Sequence, residues 1–135
     1  MTTFLNLLAP LCLLQSVEYR SPAGVDYRAE RDTGAIARAE SGLAADPRNV
    51  ESLVNLALVQ KSAGRLADAR MLLRRALAID PRSAGSHYNL AVVADESGDV
   101  SMAIEHYRAF LRFGTVTHAE LAGPVRARLT ALGSG

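Results

Sequence analysis

The sequence predicts an all-α fold in which antiparallel helical hairpins stack into a short array. First, the stretch from Asp46 to Phe113 carries one helical pattern twice, at an offset of 34 residues. Second, hydrophobic residues make up 49% of the chain but aromatic residues only 5%, with no tryptophan, so Ala, Leu and Val must build the core. A repeat of this length is typical of stacked arrays, because each unit needs its neighbours to bury its apolar face.

The offset aligns identical residues throughout the two copies. It pairs Asp46-Pro47-Arg48 with Asp80-Pro81-Arg82, Asn55-Leu56-Ala57 with Asn89-Leu90-Ala91, Gly64 with Gly98, and Ala69 with Ala103. So many identities at one offset are hard to obtain by chance. The fold prediction therefore depends on the repeat and not on composition.

Length and charge narrow the classes of function. A chain of 135 residues suits one domain. Fifteen basic and fourteen acidic residues are interspersed and give a net charge of +1, so neither nucleic acid nor an anionic membrane surface is expected as a ligand. The single cysteine, Cys12, excludes an internal disulfide.

The N-terminal segment, residues 1–25, contains an apolar run from Phe4 to Leu14 that is too short to span a bilayer as a helix. Three interpretations remain open. The run lacks the positive flank and cleavage motif of a secretory signal, and Leu11 stands where a lipoprotein anchor needs a small residue before Cys12. The third interpretation, a degenerate helix that packs on residues 32–45, is favoured.

The reason for favouring a buried helix is the stripe formed by Ile36, Ala39 and Leu43, which would otherwise face water. The interpretation of the N-terminal run also bears on the cellular compartment. A cytoplasmic location is favoured, and export or membrane association requires the N-terminal run to act as a leader or anchor.

The repeat domain, residues 26–135, begins with a half repeat at 26–47. After the Ser21-Pro22-Ala23-Gly24 loop the chain is expected to return to helix from about Asp26.

The first full copy, residues 50–83, begins with Asn49 as N-cap of a helix over about 49–62. Gly64 ends that helix in a left-handed turn, and a second helix follows over about 66–79. Its inner face comprises Leu66, Ala69, Leu73, Ala76 and Leu77.

The second copy, residues 84–117, repeats this plan, with Ser83 and Asp99 as caps and Gly98 in the turn. Its inner residues are Leu90, Ala91, Ala94, Ala103, Tyr107 and Phe110. A capping helix is expected at 117–132, opened by a Thr117–Glu120 capping box, kinked by Pro124, and with Arg126 and Arg128 facing away from the array.

These residues resemble the tetratricopeptide (TPR) repeat, whose pattern is W-x2-L-G-x2-Y, A-x3-F, then A and P. The first copy supplies Leu53, Leu56-Ala57, Gln60, Gly64, Ala69, Leu73, Ala76 and Pro81, and the second His87, Leu90-Ala91, Ala94, Gly98, Ala103 and Tyr107. The second copy departs from the pattern at Phe110 and Thr115, where the family has Ala and Pro. The resemblance implies a right-handed α-solenoid of about 2.5 repeats plus the capping helix.

The resemblance also implies a concave groove lined by fixed positions of each first helix. These positions hold Glu51, Val54, Asn55, Leu58, Lys61 and Ser62 in the first copy and Gly85, Tyr88, Asn89, Val92, Asp95 and Glu96 in the second. The two asparagines match the donor and acceptor of an extended peptide backbone, or else tie neighbouring helices together. The cations with which some TPR domains hold a terminal carboxylate are missing, so such a ligand is disfavoured.

No catalytic, cofactor or metal site is expected. None of His87, His106 and His118 has a partner ligand at helical spacing, and the chain carries no phosphate loop or hydrolase motif. The function that the family implies is a non-enzymatic scaffold that binds a protein or peptide in the groove. The alternative is an assembly module whose array ends pair with another copy or with a larger complex.

Overall fold

The computed structural model describes residues 17–20, 26–29 and 33–133. Two short strands, β1 (Val17–Arg20) and β2 (Asp26–Ala29), pair antiparallel with Val17 opposite Ala29. The described part then contains six helices, which are α1 (Thr33–Ala45), α2 (Val50–Ser62), α3 (Leu66–Ile79), α4 (Ala84–Glu96), α5 (Val100–Phe113) and α6 (Ala119–Ala131). The all-α array of hairpins is confirmed.

The helix predicted from Asp26 is wrong at its start, because residues 26–29 form β2 and α1 begins only at Thr33. Two short segments rich in Val and Tyr flank the Ser21–Gly24 breaker, and such residues favour strands. The apolar run at Phe4–Leu14 lies outside the described residues. Its packing and the division at residue 25 stay predictions.

The helix boundaries within the repeat are set by local chemistry, as predicted. Asn49, Ser83 and Asp99 each accept a hydrogen bond from the backbone N–H three residues on, at 3.0, 3.3 and 3.2 Å. Gly64 and Gly98 have φ angles of 77° and 78°, in the left-handed region that a Cβ disfavours. Each turn is short, so the helices that it joins lie antiparallel.

The core lies between the helices and is built from small and aliphatic side chains. Ala69 and Ala103 are fully buried, as are Leu53 and Leu73 around the first hairpin and Phe110 in the second. Small side chains allow the closest helix approaches. At the start of the array, a Cβ on Gly42 of α1 would collide with the Ser52 hydroxyl of α2.

The capping helix differs from its prediction in two ways. The helix begins at Ala119 without a side-chain cap, and the Thr117 hydroxyl donates back to the Gly114 carbonyl at 3.5 Å, so the capping box is wrong. Arg126 is exposed as expected, whereas Arg128 turns back to bind Asp95 of α4. Pro124 lies inside the helix. Within the described ranges, no helix is long and apolar enough to cross a membrane.

Candidate functional site

The predicted groove residues lie on α2 and α4, the first helices of the two full copies, which contact each other. Helix α3 packs against both, so their spacing is fixed by the core and not by a loop. A surface of this kind is pre-organised, and a ligand that binds it does not have to order the backbone first.

The predicted groove residues divide into buried and accessible sets. Val54, Leu58 and Asn89 are only 8%, 2% and 2% exposed, so they belong to the packed interior and offer a ligand little surface. The accessible set comprises the exposed Glu51 and Glu96 and the partly exposed Asn55, Lys61, Ser62, Gly85, Tyr88, Val92 and Asp95.

The two asparagines have different environments although they share one repeat position. The Asn89 amide donates to the Gly85 carbonyl at 2.8 Å within its own helix. Asn55 is partly exposed, and the structure gives its side chain no hydrogen bond to another described residue. Asn55 therefore has its amide available to a ligand, whereas Asn89 has one donor occupied.

Lys61 forms an ion pair that links the two copies of the repeat. Its Nζ lies 2.9 Å from Glu96 Oε1, and its side chain is mostly shielded from solvent. Partial burial strengthens such a pair relative to one in bulk water. The lysine charge is therefore balanced within the chain.

Asp95 is held by groups from two other helices. Arg128 donates two hydrogen bonds of 2.6 Å to its carboxylate, and the Tyr107 hydroxyl donates a third at 3.3 Å. The Arg128 hydrogen bonds lower the pKa of the Asp95 carboxyl. Asp95 consequently stays ionised and its charge is balanced by the capping helix.

Tyr88 is the main aromatic side chain of the surface. Its ring meets Phe110 edge-on at 5.3 Å and Tyr107 at 6.4 Å between centroids. Burial raises the pKa of the Tyr88 hydroxyl, so the group remains a neutral donor at physiological pH. A ring held in this way offers apolar area at little entropic cost.

The fold brings together two histidines that sequence reasoning set aside. The Nδ1 atoms of His87 on α4 and His106 on α5 lie 3.0 Å apart, and His87 Nε2 lies 2.8 Å from the Pro81 carbonyl. One signal was available in the repeat: these residues take the places of Leu53 and Leu72 in the first copy. No group of three or more metal-ligating side chains occurs in the part of the chain that the structure describes.

The repeat register and the stacked hairpins agree with one known family. The sequence profile of the tetratricopeptide repeat matches residues 25–84 and 55–115. The chain belongs to the tetratricopeptide repeat family. TPR repeats form protein-interaction modules, typically without enzymatic activity, and the present TPR array is a protein-interaction module.

A solved structure supports the fold. The crystal structure of MamA superposes with a TM-score of 0.60 at 27% sequence identity, covering 75% of this chain and 58% of that chain. The TPR chain thus spans 58% of the length of that structure. No curated protein matches the chain.

Proposed function

We propose that the TPR array binds an extended segment of a partner protein along a groove stripe formed by Glu51, Asn55, Tyr88 and Val92. The observation that carries the proposal is that these side chains of α2 and α4 stay accessible while Val54, Leu58 and Asn89 of the same two helices are buried. The stripe therefore presents accessible side chains on two helices that the core holds in place.

The chemistry of the groove stripe suits a peptide backbone and apolar side chains together. The Asn55 amide offers both a donor and an acceptor, as an extended peptide does. Tyr88 and Val92 offer apolar area next to it, and aromatic anchors of this kind often contribute most to an interface. The ligand segment is expected to pair its backbone with Asn55 and to place an apolar side chain against Tyr88.

The charges around the stripe argue against a strongly charged ligand. Lys61 and Asp95 are balanced by Glu96 and Arg128. An acidic segment would have to displace Glu96, and a basic one would have to displace Arg128. Glu51 is the one exposed charge of the stripe, and it disfavours a ligand carboxylate at that end.

Selection of peptides on the chain tests the proposal. Short random peptides would be selected on the folded protein, and the affinity of the best binder measured for the wild type and for the pair Glu51→Ala and Asn55→Ala. Loss of the Asn55 contact to the peptide backbone, together with the neighbouring Glu51 side chain, is expected to weaken binding at least about tenfold. Tyr88 is left in place because its ring packs on Phe110, and its removal would also change stability.

The matched control replaces two exposed residues on the second helices, Asp68→Ala with Arg108→Ala, and should bind like the wild type. Equal binding by all three proteins would contradict the groove. Sedimentation of the free chain addresses the assembly alternative, because a folded monomer at micromolar concentration argues against pairing through the array ends.

A further inference from the structure

The two histidines form a polar contact between α4 and α5. His87 is 9% exposed, and its ring stacks on His106 at 5.2 Å and on Phe113 at 5.7 Å between centroids. One ring nitrogen of His87 faces the Pro81 carbonyl and the other faces His106. The pair therefore joins α4, α5 and the turn before α4.

The Pro81 carbonyl determines which ring nitrogens of His87 and His106 carry a hydrogen. A carbonyl only accepts, so His87 Nε2 must carry a hydrogen and donate it to Pro81. In neutral His87 the Nδ1 atom is then an acceptor, and His106 donates to it from its own Nδ1. One added proton is tolerated, because protonated His87 donates its Nδ1–H to a neutral His106.

A second added proton is not tolerated. With both rings protonated, two N–H groups face each other across 3.0 Å and no hydrogen bond remains. The two positive charges also repel each other in a partly buried site. The geometry thus permits at most one net charge on the pair.

The groups around the pair make a second charge less favourable still. Arg74 of α3 acts on His106 from outside the hairpin, and Glu105 opposes it. Arg82 from the turn and Arg112 of α5 place their guanidinium carbons 5.6 and 5.7 Å from the centre of the Phe113 ring, on which His87 stacks. Arg74 and Glu105 thus act on His106 in opposite directions, and the guanidinium groups of Arg82 and Arg112 place positive charge over the ring on which His87 stacks.

The first copy of the repeat supplies a natural comparison. Its residues at the same two positions are Leu53, which is fully buried, and Leu72, which packs against the same core cluster. An apolar contact thus closes the first hairpin and a titratable one closes the second. The hydrogen-bonded pair is therefore not a requirement of the repeat itself.

We propose that His87 and His106 form a pH-sensitive latch, which holds α4 against α5 at neutral pH and releases it when both rings are protonated. The latch stands independently of the groove stripe. Its consequence is that the second TPR hairpin, and not the first, opens in mildly acidic conditions.

The direction of the pH effect follows from the pair. Burial, together with His87, lowers the pKa of His106 below its ordinary value near 6.5. Below about pH 6.5 the unfolded chain therefore binds more protons than the folded chain, until the lowered folded pKa is passed. Stability is present above this window and falls as the pH drops through it.

Thermal unfolding between pH 7.5 and 5.5 tests the latch. The double variant His87→Leu with His106→Leu reproduces the first copy and removes both titrations, and His118→Gln removes the third histidine of the chain. We expect the wild type and His118→Gln to lose at least about 4 °C more in Tm across this range than the double variant. Parallel curves for the wild type and the double variant would overturn the latch.

A measurement on the unmodified chain covers the case in which the double variant does not fold. Imidazole NMR titration of the wild type should show His106 protonating at a lower pH than an ordinary histidine, because burial and the neighbouring His87 lower its pKa. This protonation should coincide with faster amide exchange in α4 and α5 but not in α2 and α3. An ordinary titration of His106, or exchange that rises equally in both hairpins, would refute the proposal.

Discussion

Arg128 on α6 and Asp95 on α4 are joined by two hydrogen bonds of 2.6 Å across 33 residues of sequence. Paired N–H donors on one carboxylate fix orientation as well as distance. The capping helix is therefore held by a polar contact in addition to its buried Val125 and Leu129. It closes the TPR array at the end where Asp95 and Tyr107 meet.

Removing this contact should loosen the capping helix and little else. Arg128→Gln is expected to speed amide exchange in α6 and to lower Tm modestly, because the guanidinium is 49% exposed and such pairs are screened by water. Arg126→Gln on the same helix is the control, since Arg126 is exposed and predicted to face away. Equal effects of the two changes on α6 exchange would show that the pair does not hold the helix.

The same contact sets an acid limit that differs from that of the histidine latch. Arg128 lowers the pKa of the Asp95 carboxyl, so the contribution of the pair is present above the ordinary carboxyl pKa of about 4 and is lost as the pH falls through the lowered folded value. The stability difference between the wild type and Asp95→Asn should stay constant from about pH 8 to 5. A difference that already vanishes near pH 6 would be inconsistent with this pairing.

The repeat register predicts a strong effect of bulk at Ala69. The residue is fully buried where α3 meets the first helices, so Ala69→Leu should overpack the core and cost about 1 to 3 kcal/mol of unfolding free energy. Ala67→Leu, exposed on the same helix, should cost far less. Chemical denaturation of both variants measures the difference. Equal stabilities would show that the repeat register is wrong.

Two glycines of the second copy should respond oppositely to alanine. Gly98 has a φ of 78°, so Gly98→Ala should destabilise the chain by about 1 to 2 kcal/mol. Gly85 lies in α4 with open space around a Cβ, so Gly85→Ala should stabilise it by about 0.5 to 1 kcal/mol. Denaturation curves that shift in the same direction for both variants would rule out the left-handed turn as the cause of the Gly98→Ala effect.

Sequence reasoning succeeded where structure depends on neighbours along the chain. Asn49, Ser83 and Asp99 cap helices through bonds to a backbone three residues away, and the Gly64 turn needs only its own φ angle. The repeat offset then allowed the buried alanines of the two copies to be predicted at equivalent positions. These features account for the predicted bounds of α2 and α3 and for the predicted starts of α4 and α5.

Sequence reasoning failed where two local preferences competed or where contacts crossed the array. Thr117 had a cap pattern available but bonds back to Gly114 instead. The partners of His87 and Asp95 lie 19 and 33 residues away, on helices whose relative placement no sequence motif encodes. A comparison of the two copies position by position reveals the histidines as substitutions of leucine, although not their hydrogen bond.

Mapping a bound peptide by NMR tests the central claim that the TPR array binds its partner along the groove stripe. The peptide selected on the folded chain would be titrated into labelled protein while the amide shifts of all helices are followed. Binding along the groove stripe predicts the largest shifts on α2 and α4 around Glu51, Asn55, Tyr88 and Val92, with small shifts on the outer faces of α3 and α5. Largest shifts on those outer faces, with the groove stripe unchanged, would contradict it.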